Sequence, residues 1–122
     1  MSLFERPDSG EKAILVHVDL PDSNSEALDE FYDLAISAGA LPEAVITGNR
    51  YRPEAKYFVG TGKAQEIKST VRQYHAEVVL VNHTLSPAQE RNLEQLLECR
   101  VLDRTGLILD IFAQRARSYE GK

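Results

Sequence analysis

The sequence predicts an α/β fold: a small, mainly parallel four-stranded sheet with helices on both faces. Three observations carry this expectation. Strand-like and helix-like segments alternate four times, the pattern of parallel strands joined by right-handed crossover helices. The run Lys12–Leu20 is apolar at nearly every position, as a strand covered on both faces requires. The 122 residues, 43% hydrophobic and 27% charged, suit one domain built around one core.

Each element has its own justification. Met1-Ser2-Leu3 reads as a remnant without structural weight, and the domain is expected over residues 4–117. After the first strand, Ser23-Asn24-Ser25-Glu26 has the pattern of a capping box. Leu28, Phe31, Tyr32, Ala35 and Ala38 follow at helical spacing, and Gly39 supplies the stop. Glu43–Gly48 reads as the second strand, and Asn49–Lys56 as a polar loop around Pro53. Tyr57-Phe58-Val59 reads as a short extended piece before Gly60-Thr61-Gly62. The second helix carries Ala64, Ile67, Val71 and Tyr74 on one stripe, and Glu77–Val81 is the third strand.

Ser86-Pro87-Ala88-Gln89 opens the third helix with a cap, a proline in the first turn and Gln at the capping-box position. Its apolar stripe is Leu93, Leu96 and Leu97. Arg100–Asp103 is a short fourth strand. A final helix from Thr105 is expected to turn Leu107, Ile108, Ile111, Phe112 and Ala116 inward.

Composition narrows the function classes. Cys99 is the only cysteine, which excludes a disulfide framework and a thiolate metal cage. Every apolar run is far shorter than a membrane span, so no stable membrane insertion is expected and the cytoplasm is the default location. The net charge of −5 is unevenly spread. Residues 1–49 hold Arg6 and Lys12 against ten acids, whereas residues 50–122 hold twelve Lys or Arg against nine. A polyanion is repelled by the first part and tolerated by the second, and the whole is too acidic for a dedicated nucleic-acid binder.

Four groups of residues are candidates for chemistry. Gly60-Thr61-Gly62-Lys63 resembles the end of a phosphate loop, but Tyr57 stands where the first Gly belongs and Ala64 where the Mg²⁺-binding hydroxyl belongs. The alternatives are a tight turn that starts a helix or a weaker anion site at that helix N-terminus. Asp19, Arg50, His83 and Asp103 fall near carboxyl ends of strands, the edge where parallel sheets bind ligands. They form either a polar crevice or a set of helix caps. Of the three histidines, His17 lies mid-strand and His75 closes a helix, so the two do not converge on a metal. In Asn49–Lys63, the cations Arg50, Arg52, Lys56 and Lys63 interleave with Tyr51, Tyr57 and Phe58. Cations for phosphates beside rings for stacking is the chemistry of RNA contact, although a soluble connector has the same look. No residue is a candidate for catalysis or for holding a metal.

Leu85–Glu94 (LSPAQERNLE) and Val101–Ala116 (VLDRTGLILDIFAQRA) closely resemble the N-terminal domain of the HflX family of ribosome-associated GTPases. The resemblance extends through Tyr57–Lys63 and the first strand, covering nearly the whole chain. Arg115–Lys122 is similar to the start of that family's helical linker, with residues 118–122 beyond the domain proper.

The resemblance implies a larger protein in which a helical hairpin and a G domain come next. It also implies binding to the large ribosomal subunit and its RNA, and the splitting of stalled or idle ribosomes. GTP and Mg²⁺ are implied for that whole protein, with no cofactor in the present chain, which lacks a complete GxxxxGK[ST] or NKxD. The chain alone is therefore expected not to be catalytic. The alternative is a small nucleotide- or ligand-binding domain, with ATP as one ligand attributed to this part in some family members.

Overall fold

The computed structural model describes residues 11–21 and 27–120. The elements are β1 (Glu11–Asp19), α1 (Ala27–Ser37), β2 (Ala40–Asn49), α2 (Thr61–Tyr74), β3 (Val78–Val81), α3 (Pro87–Leu97), β4 (Arg100–Leu102) and α4 (Arg104–Glu120). The sheet order is β2-β1-β3-β4, and every pair is parallel. The expected α/β fold, with its parallel sheet between helices, is the one observed. The remnant at residues 1–3 and the capping box at residues 23–26 lie outside the described residues.

Sheet position follows from apolar content. β1 and β3 are central and carry unbroken buried runs, Ala13–Val18 and Val78–Val81. On one face Ile14, Val16, Val79 and Val101 pack under Ala64, Ile67 and Val71 of α2 and Leu93 and Leu97 of α3. On the other, Ala13, Leu15, Val78 and Leu80 pack under Phe31 and Ala35 of α1 and Leu107 of α4. Leu15 shows the register: it faces Val45 on one side and Leu80 on the other.

β2 starts earlier than the sequence suggests, at Ala40 instead of Glu43, and so takes in Pro42. A proline without an N–H is tolerated on an edge strand and at a bulge, and here it has both. Ala13 pairs with Pro42 and Ile14 with Ala44, leaving Glu43 as the extra residue. Gly39, at φ +89°, turns the chain out of α1 directly into β2.

Two helix stripes differ from expectation. Phe112 is 63% exposed and Ala116 is exposed, so neither turns inward; Leu107 and Ile111 bury α4, with Ile108 half-buried. The register explains it: with α1 alongside, only a narrow arc of α4 meets the sheet, and Phe112 lies outside it. Tyr32 of α1 is likewise largely exposed, on the flank away from Phe31. Cys99 is half-buried against the core beside α2 and α3, and burial with the nearby Glu94 charge pushes its thiol up to about 11. That is the inert, apolar use of a cysteine.

Candidate functional site

The loop between β2 and α2 is pinned from three sides. Glu54 and Phe58 exchange two backbone hydrogen bonds of 3.0 Å, closing a tight turn where an extended piece is expected. α3 then reaches across to the same loop. Ser86 and Gln89 form a full capping box, with Ser86 Oγ accepting from the Gln89 N–H at 3.0 Å and Gln89 Oε1 accepting from the Ser86 N–H at 2.9 Å. The remaining amide of Gln89, Nε2, donates to the Glu54 carbonyl at 2.6 Å, and Asn92 Nδ2 donates to the Lys56 carbonyl at 3.0 Å. The segment that reads in sequence as a helix start is therefore also a clamp on the loop.

The third side is a column of rings. Phe58 is buried with φ +69°, and its ring stacks on His83 at 4.8 Å between centroids. His83 stacks in turn on His17 at 5.5 Å, and its Nε2 accepts the Val18 N–H at 3.0 Å. An imidazole that accepts at Nε2 must stay neutral to do so. Burial first, then the nearby His17 and Arg104, hold the His83 pKa down to about 4. His17 is buried, with Nδ1 against Asn82 Nδ2 at 3.0 Å and Nε2 against Asp19 Oδ1 at 3.1 Å. His17 and His83 thus meet, while His75 sits apart at the end of α2 in a left-handed cap.

The carboxyl ends of β1 and β2 open onto two adjoining clefts. One, of about 380 Å³, is lined by Asp19, Leu20, Pro21, Asn49, Arg50 and Tyr51. The other, of about 260 Å³, brings Arg50 and Lys63 together with Gly48, Gly60 and Gly62. The glycines let the cations lie flat: a Cβ on Gly60 would sit 2.9 Å from Arg50 Nη1, and one on Gly48 would sit 3.2 Å from Lys63 Cε. α2 begins here with Gly60 as its N-cap and without a side-chain cap.

Of the residues singled out in the sequence, Asp19, Arg50, Tyr51 and Lys63 come together in these clefts. His83 lies beneath them, in the ring column. Asp103 is elsewhere: Oδ1 accepts the Gly106 N–H at 2.8 Å and Oδ2 accepts the Leu85 N–H at 3.0 Å, so it caps α4 and fastens the loop before α3. Arg50 is partly engaged, with Nη2 on Glu54 Oε2 at 2.7 Å and Nε on the Arg52 carbonyl at 3.1 Å. Lys63 Nζ donates to the Thr47 carbonyl at 3.0 Å and to Glu66 at 2.9 Å. Tyr57 is half-buried against the core, with Lys56 Nζ 5.2 Å from its ring centre. Tyr51, 90% exposed, Arg52 and Lys56 face solvent.

A GTP-and-Mg²⁺ phosphate loop does not fit residues 57–64. Phe58 is folded into the core, Ala64 offers no metal ligand, and Lys63 is turned onto Thr47 and Glu66. Among the described residues no cluster of three or more His, Cys, Asp or Glu could hold a metal ion. Sequence reading missed Gln89 and Asn92 as loop clamps and His17 as the base of the ring column. Gln89 is disguised by its capping role, and Asn92 lies among charged residues that read as a solvated face.

The parallel sheet, its two helical layers and the glycine-lined crevice at the carboxyl edge define a doubly wound α/β domain with a basic, loop-covered edge. A family model described as "GTP-binding GTPase N-terminal" matches residues 25–113, and the chain belongs to that family. GTPase HflX of Escherichia coli is 60% identical over 121 residues, which are 98% of this chain and 28% of that protein. GTPase HflX of Caldanaerobacter subterraneus is 41% identical over 91% of this chain and 26% of that protein. The resemblance to an HflX N-terminal domain is thereby borne out. The chain spans less than a third of the length of these curated relatives. A GTP-binding protein of Sulfolobus solfataricus, solved with GDP, shares the fold at a TM-score of 0.66, with 23% identity over 84% of this chain and 30% of that one. Among the described residues no helix is long and apolar enough to cross a membrane.

Proposed function

We propose that this chain is the docking and regulatory N-terminal domain of an HflX-type GTP-binding protein, one that binds the large ribosomal subunit and splits or recycles ribosomes in the cytoplasm. GTP hydrolysis, with Mg²⁺, belongs to the G domain beyond a helical linker in the longer protein. The observation that carries the reading is the clamped loop 49–60, which holds Tyr51, Arg52 and Lys56 outward at the basic edge of an acidic domain. A held loop presents cations and a ring to an RNA surface without a large ordering cost on binding. Arg50 and Lys63 add charge at the rim, beside the positive N-terminus of α2.

The test is charge reversal in the full-length protein. Arg52→Glu with Lys56→Glu should weaken co-sedimentation with large subunits and flatten its salt dependence, leaving GTP binding unchanged. Pelleting that is as strong and as salt-sensitive as before would place docking elsewhere.

The crevice itself favours a second reading. Two cations, three glycines and an uncapped helix start form a concave site of about 260 Å³ that suits a phosphate-bearing ligand, ATP among them. Binding of ATP by the purified chain without RNA, lost on Lys63→Ala, would support it.

A further inference from the structure

β2 is an edge strand of the described sheet, closed at both ends and open in the middle. At its start Pro42 has no N–H to offer, and the bulge at Glu43 breaks the ladder. At its far end Lys63 Nζ donates to the Thr47 carbonyl at 3.0 Å. Backbone groups alternate in direction along a strand, and the Arg50 N–H points inward, to the Asp19 carbonyl at 3.0 Å. The N–H and C=O of Val45 and the N–H of Thr47 therefore point outward, away from β1. These three groups are a template for another strand.

An apolar strip adjoins them. Leu34 and Ala38 turn one flank of α1 toward Leu107, and Gln114 of α4 reaches the Ala38 carbonyl at 2.9 Å. The opposite flank lies over the β2 edge and carries Tyr32 and Ile36, 41% and 50% exposed. Val45 stands on the same sheet face, since its partner Leu15 packs under α1, and it is 41% exposed. Asp29, Asp33 and Glu43, all exposed, rim the strip. Asp29, Tyr32, Asp33 and Ile36 have the i, i+3, i+4, i+7 spacing of one helix face.

We infer that this face of α1 and β2 receives an extended cationic segment of a partner protein, added as a strand beside Val45. Charge selects the occupant. Seven acids and no lysine or arginine lie between Lys12 and Arg50. A phosphate backbone is repelled by such a surface. A second copy of this chain, docked by a two-fold axis, sets the same acidic rim against itself. A cationic strand meets every feature of the face. Its backbone pairs with Val45 and Thr47, its central apolar side chains lie on Tyr32 and Ile36, and its flanking cations reach Asp29, Asp33 and Glu43. The closed ends of β2 limit the pairing to a short stretch, which suits a peptide and disfavours open-ended sheet growth. The inference does not depend on ribosome binding.

Amide hydrogen exchange of the full-length protein with the end-blocked peptide Lys-Lys-Val-Thr-Val-Lys-Lys tests it. At about 1 mM peptide the Val45 and Thr47 amides should exchange about tenfold more slowly, with those of β4, at the opposite edge, unchanged. Asp33→Lys with Glu43→Lys, both exposed, should leave the circular dichroism spectrum in place. The pair should abolish protection by this peptide and confer it on Glu-Glu-Val-Thr-Val-Glu-Glu. Val45 and Thr47 amides that do not respond to the cationic peptide would overturn the inference. So would equal protection by both peptides in the unaltered protein, which indicates apolar contact without charge selection. Amides already slow in the free protein would overturn it too. Slow at every concentration, they indicate cover by the protein's own chain; slow only before about hundredfold dilution, a second copy.

Discussion

The Phe58 ring lies on the His83 imidazole with centroids 4.8 Å apart and planes 29° from parallel. This contact joins the loop before α2 to the loop after β3, and through His17 to the middle of β1. It also accounts for an unusual backbone. A left-handed φ costs a bulky residue about 1–2 kcal/mol. Burial of a phenylalanine side chain contributes about 1.5–3 kcal/mol, enough to hold it there.

His83 makes the domain sensitive to mild acid. Its folded pKa, about 4, lies below the ordinary 6.5, chiefly because of burial. Between those values the unfolded chain binds the extra proton, so stability is complete above 6.5 and declines as pH falls toward 4. The slope from this group should not exceed about 1.4 kcal/mol per pH unit. His83→Gln, whose amide oxygen can still accept from Val18, should flatten the decline in urea unfolding followed across that window. An unchanged slope would mean another group titrates.

α4 offers a contrast between two apolar residues. Leu107 is 1% exposed, so Leu107→Ala should cost about 2–5 kcal/mol in denaturant unfolding of the 122-residue chain. Phe112→Ala in the same chain should cost less than about 1 kcal/mol, the usual range for an exposed site. Equal losses would place Phe112 in the core after all.

Gln89 and Asn92 should govern the loop they hold. Gln89→Ala removes the reciprocal cap and the Glu54 contact together and should cost about 1–2 kcal/mol. Asn92→Ala should cost less, while raising amide exchange over residues 54–58 without affecting the sheet. Exchange rates unchanged in both variants would show that the ring column alone fixes the loop.

The 122-residue chain should show no tight GTP site. Titration calorimetry with GTP and Mg²⁺ should detect nothing near a Kd of about 1 μM, roughly −8 kcal/mol. A site of that strength would mean that residues 57–64 rearrange into a phosphate loop despite Ala64.

The sequence alone determined the parallel α/β fold, the helix stripes that meet the sheet in α2 and α3, and the capping box at Ser86. Each depends on periodicity or on local hydrogen bonding, which neighbouring residues dictate. It also carried the family, through two long motifs. The tertiary structure decided what distance along the chain conceals. The second strand read from Glu43 leaves out Pro42, whose place on an edge and at a bulge only the sheet reveals. Phe112 reads as core because helical spacing reports a stripe but not the width of the arc its neighbours leave to be covered. The meeting of His17, His83 and Phe58 is a contact between segments 25 or more residues apart, made only when β1, β3 and the loop before α2 end at one edge. No local pattern encodes it, because stacking depends on where three separate backbones stop.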